Sequence, residues 1–347
     1  MEHIIPLSII FFSMTASFLI AVNSAPGFIY LLLKYNLAKN IREKASDGRA
    51  ADLFRKLHLK KEGTPTMGGI LIWVTTLIVV LFSRGLSYFG VISESLLDRG
   101  EVYLPLFTLV TMGLLGAIDD YLNVRQSKHK GLPVQPKLFF LLLFSGLGAL
   151  WFYFKLDYTS IFIPFVGNVD LGWWYIPLFI FIITGTANAV NITDGLDGLA
   201  GGLLIFAFAS FGVLAYVTGL FSLATFCSVI IGALLAFLWH NVPPAKFYMG
   251  DTGSLALGAT LGVIAMMTNF VFVLPIIGFI FLIEILSVII QLTSKKLRNG
   301  KKVFHIAPLH HHFEHIGWTE SQIVMRAWII GGFFTAIGII LGILTVR

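Results

Sequence analysis

Leu104-Pro-Leu-Phe-Thr-Leu-Val-Thr-Met-Gly-Leu-Leu-Gly-Ala-Ile118 is an unbroken apolar run that stops abruptly on Asp119-Asp120. Read from position 102, it approaches the length of about 20 residues that a helix needs to cross a bilayer. Runs of the same kind recur at 4–33, 67–83, 138–154, 174–190, 199–217, 220–238, 252–269, 271–292 and 327–346. None shows the period-two alternation of a barrel strand. An all-α integral membrane protein with about ten transmembrane helices is therefore expected.

Composition agrees. Of 347 residues, 57% are hydrophobic and 12% are charged, and the mean hydropathy is +0.87. A soluble domain is roughly 45–50% apolar and about 25% charged. A soluble globule, a disordered chain and a disulfide scaffold are excluded, since Phe numbers 32 and the lone Cys227 sits inside an apolar run. The first run carries Asn23, Ser24 and Pro26, which predict a tilt or kink. Met1-Glu2-His3 supplies no basic region, so this run reads as a span and not as a secretory signal. Residues 1–347 read as one polytopic domain. An outer segment, 156–171, alternates apolar and polar residues and predicts a small hairpin.

Orientation follows from basic residues, which are retained on the cytoplasmic side. Connections 34–66, 119–137, 191–198, 239–251 and 293–326 form one set. The other side, with both termini, holds only Arg84, Arg99, Lys155 and Arg347 of the 24 Lys and Arg residues. The first set is thus cytoplasmic and both termini lie outside. The net charge of +6 is chiefly this topology signal, and no nucleic-acid partner is expected. The polar clusters fall on the same cytoplasmic side, which predicts an active-site cleft there. A transporter more often carries its polar groups near the midplane on broken helices. Glu284 alone qualifies, and it reads equally as a helix–helix hydrogen bond or a functional group.

Each cluster has its own chemistry. Asp119 and Asp120 point about 100° apart on a helix. One can meet a metal or nucleophile while the other pairs with a base such as Lys137. Asn191-Ile-Thr-Asp194-Gly-Leu-Asp197-Gly carries two Asp-Gly turns, whose glycines admit close backbone approach and whose side chains accept from ribose, base N–H or a metal shell. The same stretch also reads as a turn that caps the next helix. Asn241 to Ser254 leads into a span through Gly250-Asp251-Thr252, which suits a cap or a phosphate–metal site. Mg²⁺ typically takes one or two carboxylates with phosphate oxygens and waters, so Asp251 is the first candidate ligand. Gly63-Thr64-Pro65-Thr66-Met67-Gly68-Gly69, after Lys60-Lys61-Glu62, offers amides, hydroxyls and basic charge, with Lys61 and Thr66 as candidate contacts. It lacks a P-loop ending. In Pro308-Leu-His310-His311-His312-Phe-Glu314-His315 the zinc order His-Glu-x-x-His is absent, so binding of phosphate or sugar oxygens is the preferred reading.

Together these runs, with Ile118-Asp-Asp-Tyr121, Lys130-Gly-Leu132, Asn188–Ala200 and Met249–Gly258, resemble the polyprenyl-phosphate N-acetylhexosamine-1-phosphate transferases. The Pro308–Glu314 run favours the muramoyl-pentapeptide branch over the GlcNAc-1-phosphate branch. The resemblance implies transfer of phospho-MurNAc-pentapeptide from UDP-MurNAc-pentapeptide to undecaprenyl phosphate in the bacterial inner membrane, giving lipid I and UMP. It implies Mg²⁺, with Mn²⁺ as a substitute, held by Asp251 and near Asp119 and Asp120. Lys137 is then the basic partner of phosphate, and Asn191, Asp194 and Asp197 are nucleotide and metal-shell contacts. Tyr248 is available to stack on uracil, and Asn241, His310, His311 and His312 meet the sugar-diphosphate end. A homodimer and the order of the chemical steps stay open. Rivals are a GlcNAc-1-phosphate transferase, an intramembrane aspartyl protease and a lipid flippase. The protease needs two acids facing each other within the membrane.

Overall fold

The computed structural model describes residues 4–38, 63–92, 95–125, 132–164 and 166–345. Its helices are α1 (Ile4–Lys34), α2 (Gly69–Tyr88), α3 (Tyr103–Arg125), α4 (Val134–Lys155), α5 (Tyr175–Thr193), α6 (Leu199–Val217) and α7 (Phe221–Asn241). They continue as α8 (Asp251–Met267), α9 (Leu274–Ile277), α10 (Phe279–Leu297), α11 (Leu309–His315) and α12 (Glu320–Thr345). Eight of the helical segments are long and apolar enough to cross a membrane. The two remaining expected spans fall on α8, which has 17 residues, and on the α9–α10 pair.

Several boundaries differ from the hydropathy reading. The run 271–292 is not one helix: Pro275 opens α9, and the chain breaks at Gly278 before α10. Apolar residues on both sides hide that break. The connection expected at 119–137 is partly helical, since α3 continues to Arg125 and α4 begins at Val134. A helix end that stays inside protein does not stop where apolar residues stop, because its backbone bonds are already satisfied. Asp119, Asp120 and Lys137 therefore sit on helices. Likewise α10 and α12 extend into the segment 293–326, which also contains the short α11. Helix α1 runs unbroken through Pro26.

Helix α8 is the axis of the bundle. Every residue after Asp251 is buried. It packs against α3 and α5, and also against α2 and α6, while α1 lies along α7 and α12 along α6. Its first turn is tied to two neighbours: the Thr252 hydroxyl donates to the Gly113 carbonyl at 2.8 Å and accepts from Trp73 Nε1 at 3.2 Å. The close approach of α3 requires glycine at 116, where a Cβ would fall on the Asp251 carbonyl. At the opposite end, strands β1 (Ser160–Ile163) and β2 (Gly167–Asp170) form the expected hairpin, pairing Ser160 with Asp170 and Ile163 with Gly167. The Phe162 N–H donates to Asn269 Oδ1 at 2.9 Å, just beyond the end of α8.

Gly116→Val should cost about 1–3 kcal/mol, the usual range for overpacking. Gly85→Ala, where no atom lies within 4 Å of the added carbon, should leave the Tm of detergent-purified protein unchanged or slightly raised. A wild-type Tm for Gly116→Val would contradict the α3–α8 approach.

Candidate active site

Asp251 is the first residue of α8, and three elements meet on its carboxylate. Lys137 Nζ, from the first turn of α4, bonds Oδ2. Asn191 Nδ2, near the end of α5, donates to Oδ1 at 2.8 Å and to Ser254 Oγ at 2.8 Å. Lys137 Nζ also lies 3.6 Å from Asp119 Oδ2, so one ammonium bridges carboxylates from two helices. Asp119 Oδ1 accepts from the Leu132 N–H at 2.6 Å. Asp120 turns the other way and accepts from the Thr252 N–H at 3.1 Å, supplying an acceptor to the start of α8. Both acids are buried, at 7% and 4% exposure. Gly250 makes the contact sterically possible: its φ is +72°, and a Cβ there would strike Asp120 Oδ2 and Thr66 Oγ1.

The residues around this centre are mostly held by backbone. Tyr248 N–H donates to the Pro65 carbonyl at 2.8 Å, Gly68 N–H to the Tyr248 carbonyl at 2.7 Å and Gly69 N–H to the Met249 carbonyl at 2.8 Å. The amides of Gly68 and Gly69 are thus engaged in clamping the 248–250 turn, and Thr66 N–H donates to the Leu37 carbonyl. Asn241 is buried and uses both ends of its amide within the chain: Oδ1 accepts from Gly198 N–H at 2.9 Å and Nδ2 donates to the Phe247 carbonyl at 2.9 Å. It staples the 194–198 turn to the 242–250 loop. Asp197 joins the same staple by accepting from Ala245 N–H at 3.0 Å, and its own N–H donates to Glu320 Oε1 at 2.6 Å. Asp194 caps α5 and is half-buried beside Gly195. Lys61 and Lys130 lie outside the described residues.

The histidines divide by environment. His310 is 1% exposed, and its Nδ1 is 3.1 Å from Glu284 Oε2. His311 Nδ1 is 2.6 Å from Glu314 Oε2. His312 stacks on His305 at 5.3 Å; burial, then the neighbouring His305 and His315, hold it below the ordinary histidine value. Behind α11, Phe313 stacks on Trp318 at 4.6 Å and the Arg326 guanidinium lies 4.0 Å over that indole. The structure brings Asp119, Asp120, Lys137, Asn191 and Asp251 into one cluster. It puts His310 against Gly195, because a Cβ on Gly195 would fall on its ring. Thr252 and Ser254 stand in the stretch expected to form a cap or a phosphate–metal site, whereas nothing in the sequence flagged Glu320.

Three carboxylates gather around one lysine among the described residues. Among these residues no three acidic or imidazole groups form a ready-made metal cage. Mg²⁺ usually binds through one or two carboxylates with substrate phosphates and waters, so this all-oxygen set fits it.

Residues 102–269 match the model of glycosyl transferase family 4, and residues 61–72 match phospho-N-acetylmuramoyl-pentapeptide-transferase signature 1. Curated relatives named phospho-N-acetylmuramoyl-pentapeptide-transferase extend the match over nearly the whole chain. One from Thermodesulfovibrio yellowstonii is 42% identical over 335 residues, covering 91% of this chain and 87% of its own. Others from Clostridium novyi and Geobacillus sp. are 40% and 41% identical, covering 96% and 98% of each chain respectively. The chain belongs to the phospho-N-acetylmuramoyl-pentapeptide-transferase family, as a multi-pass protein of the bacterial inner membrane.

Asn241→Ala removes two buried hydrogen bonds and orphans their partners, a loss of about 2–3 kcal/mol. Thermal unfolding should show it directly. An unchanged Tm with weakened substrate binding would instead make Asn241 a substrate contact.

Proposed function

We infer that this protein transfers phospho-MurNAc-pentapeptide from UDP-MurNAc-pentapeptide to undecaprenyl phosphate on the cytoplasmic face of the membrane. The observation that carries the reading is the Lys137 ammonium set between Asp119 and Asp251 at the start of a buried helix. Family membership supports the choice of reaction. In the overall exchange an oxygen of the lipid phosphate becomes bonded to the sugar-linked phosphorus. The bond from that phosphorus to UMP breaks, giving lipid I and UMP. One diphosphate linkage is lost and one is formed, so the task is to bring two anions together and stabilise the charge between them.

The chain's residues suit that task. Lys137 offers a mobile ammonium to phosphate oxygens, and the N-terminus of α8 adds a favourable dipole. Asn191 orients Asp251 through Oδ1, leaving Oδ2 to the lysine and to a cation. Asp120 fixes the first turn of α8, and so the height of Asp251, through the Thr252 N–H. Asp119, anchored by Leu132, stands on the far side of Lys137. Mg²⁺ would be held by Asp251 with Asp119 or Asp120, and when bound it neutralises diphosphate charge; Mn²⁺ serves the same donor set. Asp194, Asp197 and Tyr248 would meet the nucleotide, with Lys61 and Thr66 as further substrate contacts. His310, His311 and His312 lie toward the sugar-diphosphate end.

Membranes containing the protein, supplied with undecaprenyl phosphate and Mg²⁺, should convert labelled UDP-MurNAc-pentapeptide to lipid-extractable product and UMP. UDP-GlcNAc should give little; if it is the better donor, the protein is a GlcNAc-1-phosphate transferase. Chelation with EDTA should abolish turnover, and Mg²⁺ or Mn²⁺ should restore it. Turnover that persists in EDTA would remove the cation from the reading. Asp251→Asn should stay folded and lose at least about a hundredfold in turnover, the scale of deleting one preorganised electrostatic group. Wild-type turnover in that variant would sink the assignment of Asp251.

A further inference from the structure

Helix α10 carries one acid in its apolar stretch, and its reach is unusual. Glu284, 4% exposed, accepts from the His310 backbone N–H at 3.1 Å through Oε1 and 3.3 Å through Oε2. Oε2 also lies 3.1 Å from Nδ1 of the His310 ring. A carboxylate accepts only, so the hydrogen between the two groups belongs on Nδ1. In the neutral ring that assignment leaves Nε2 with its lone pair. Nε2 is buried and has no hydrogen-bond partner among the described residues. It faces the Asp194-Gly195 turn, where only the missing Cβ of Gly195 makes room for the ring. A buried polar atom without a partner is costly, so a group that hydrogen-bonds to it would be stabilised there.

We propose that Glu284 is a positioning residue, which holds His310 as the Nδ1–H tautomer so that Nε2 accepts a hydrogen bond from a hydroxyl or amide N–H of the sugar-nucleotide donor. The proposal rests on the transferase reading above. It also accounts for an acid buried in an apolar helix: one carboxylate both starts α11, through the backbone N–H, and selects which ring nitrogen is left open. Glutamine would keep the shape and one acceptor. Its amide hydrogens can face Nδ1 instead, which releases the ring to the other tautomer.

Turnover of UDP-MurNAc-pentapeptide by wild-type protein is measured first; its absence counts against the transferase reading and not against this one. Binding of the same donor is then measured by calorimetry in four proteins: wild type, Glu284→Gln, His310→Ala and the double variant. We expect Glu284→Gln to weaken binding about tenfold, the scale of one hydrogen bond, and to have no further effect once His310 is alanine. Any loss of Tm should be alike in both backgrounds, because the backbone bond to position 310 survives in each. NMR of ¹⁵N-histidine-labelled protein should show Nδ1 protonated and Nε2 bare at His310, assigned by its disappearance in His310→Ala. Equal weakening by Glu284→Gln in both backgrounds would overturn the proposal, as would a protonated Nε2 in wild type. If Glu284→Gln fails to fold, Glu284→Asp replaces it in the cycle, and the wild-type spectrum still decides.

Discussion

A helix that starts inside a membrane protein must find acceptors for its first amide groups there, since no water is at hand. Helix α8 meets that requirement with Asp120, which accepts from Thr252 N–H, and with the Gly250 carbonyl, which accepts from Gly253 and Ser254 N–H. Much of the site depends on this. Because Asp120 is on α3, satisfying α8 brings α3 against it, and Gly116 lets the backbones meet. Asp119, the residue before it in the chain, is thereby delivered beside Asp251, within reach of Lys137. The carboxylate pair is thus a by-product of capping a buried helix as much as a feature in its own right.

The electrostatics follow from the same packing. Carboxylates held at low exposure repel one another strongly unless a cation intervenes, because little water screens them. Lys137 supplies that cation in the protein alone. Its long stem suits the role, since an ammonium on four methylenes can reach carboxylates on two helices at once. The segments around the centre are in contrast rigidly engaged. The 63–69 stretch, the 194–198 turn and the 242–250 loop bond to one another through backbone and through Asn241 and Asp197.

Much of this was legible from residue order. Acids placed directly after an apolar run located Asp119 and Asp120, the start of a span located Asp251, and the one-sided distribution of Lys and Arg grouped them with Lys137. The hairpin near 160–170 also showed in its alternation. What stayed hidden depends on who faces whom. The break at Gly278 lies between two apolar stretches, so hydropathy sees no boundary. Asn241 reads as a polar loop residue suited to a sugar, yet its amide is spent on Gly198 and Phe247, partners 43 and 6 positions away. Glu284 stood out as an acid among apolar residues, while its partner, 26 positions on, could not be read from spacing.

The length of α8 has its own consequence. At 17 residues it measures about 26 Å, short of the roughly 30 Å hydrocarbon thickness. Its outer end is tethered to the hairpin, through Asn269 to Phe162 and through the Met267 carbonyl to the Tyr158 hydroxyl at 3.4 Å. A rigid rod fixed at one end sets the depth of the other. The hairpin therefore acts as a depth gauge for Asp251, fixing from one end of α8 how far along the bundle the carboxylate at the other end stands.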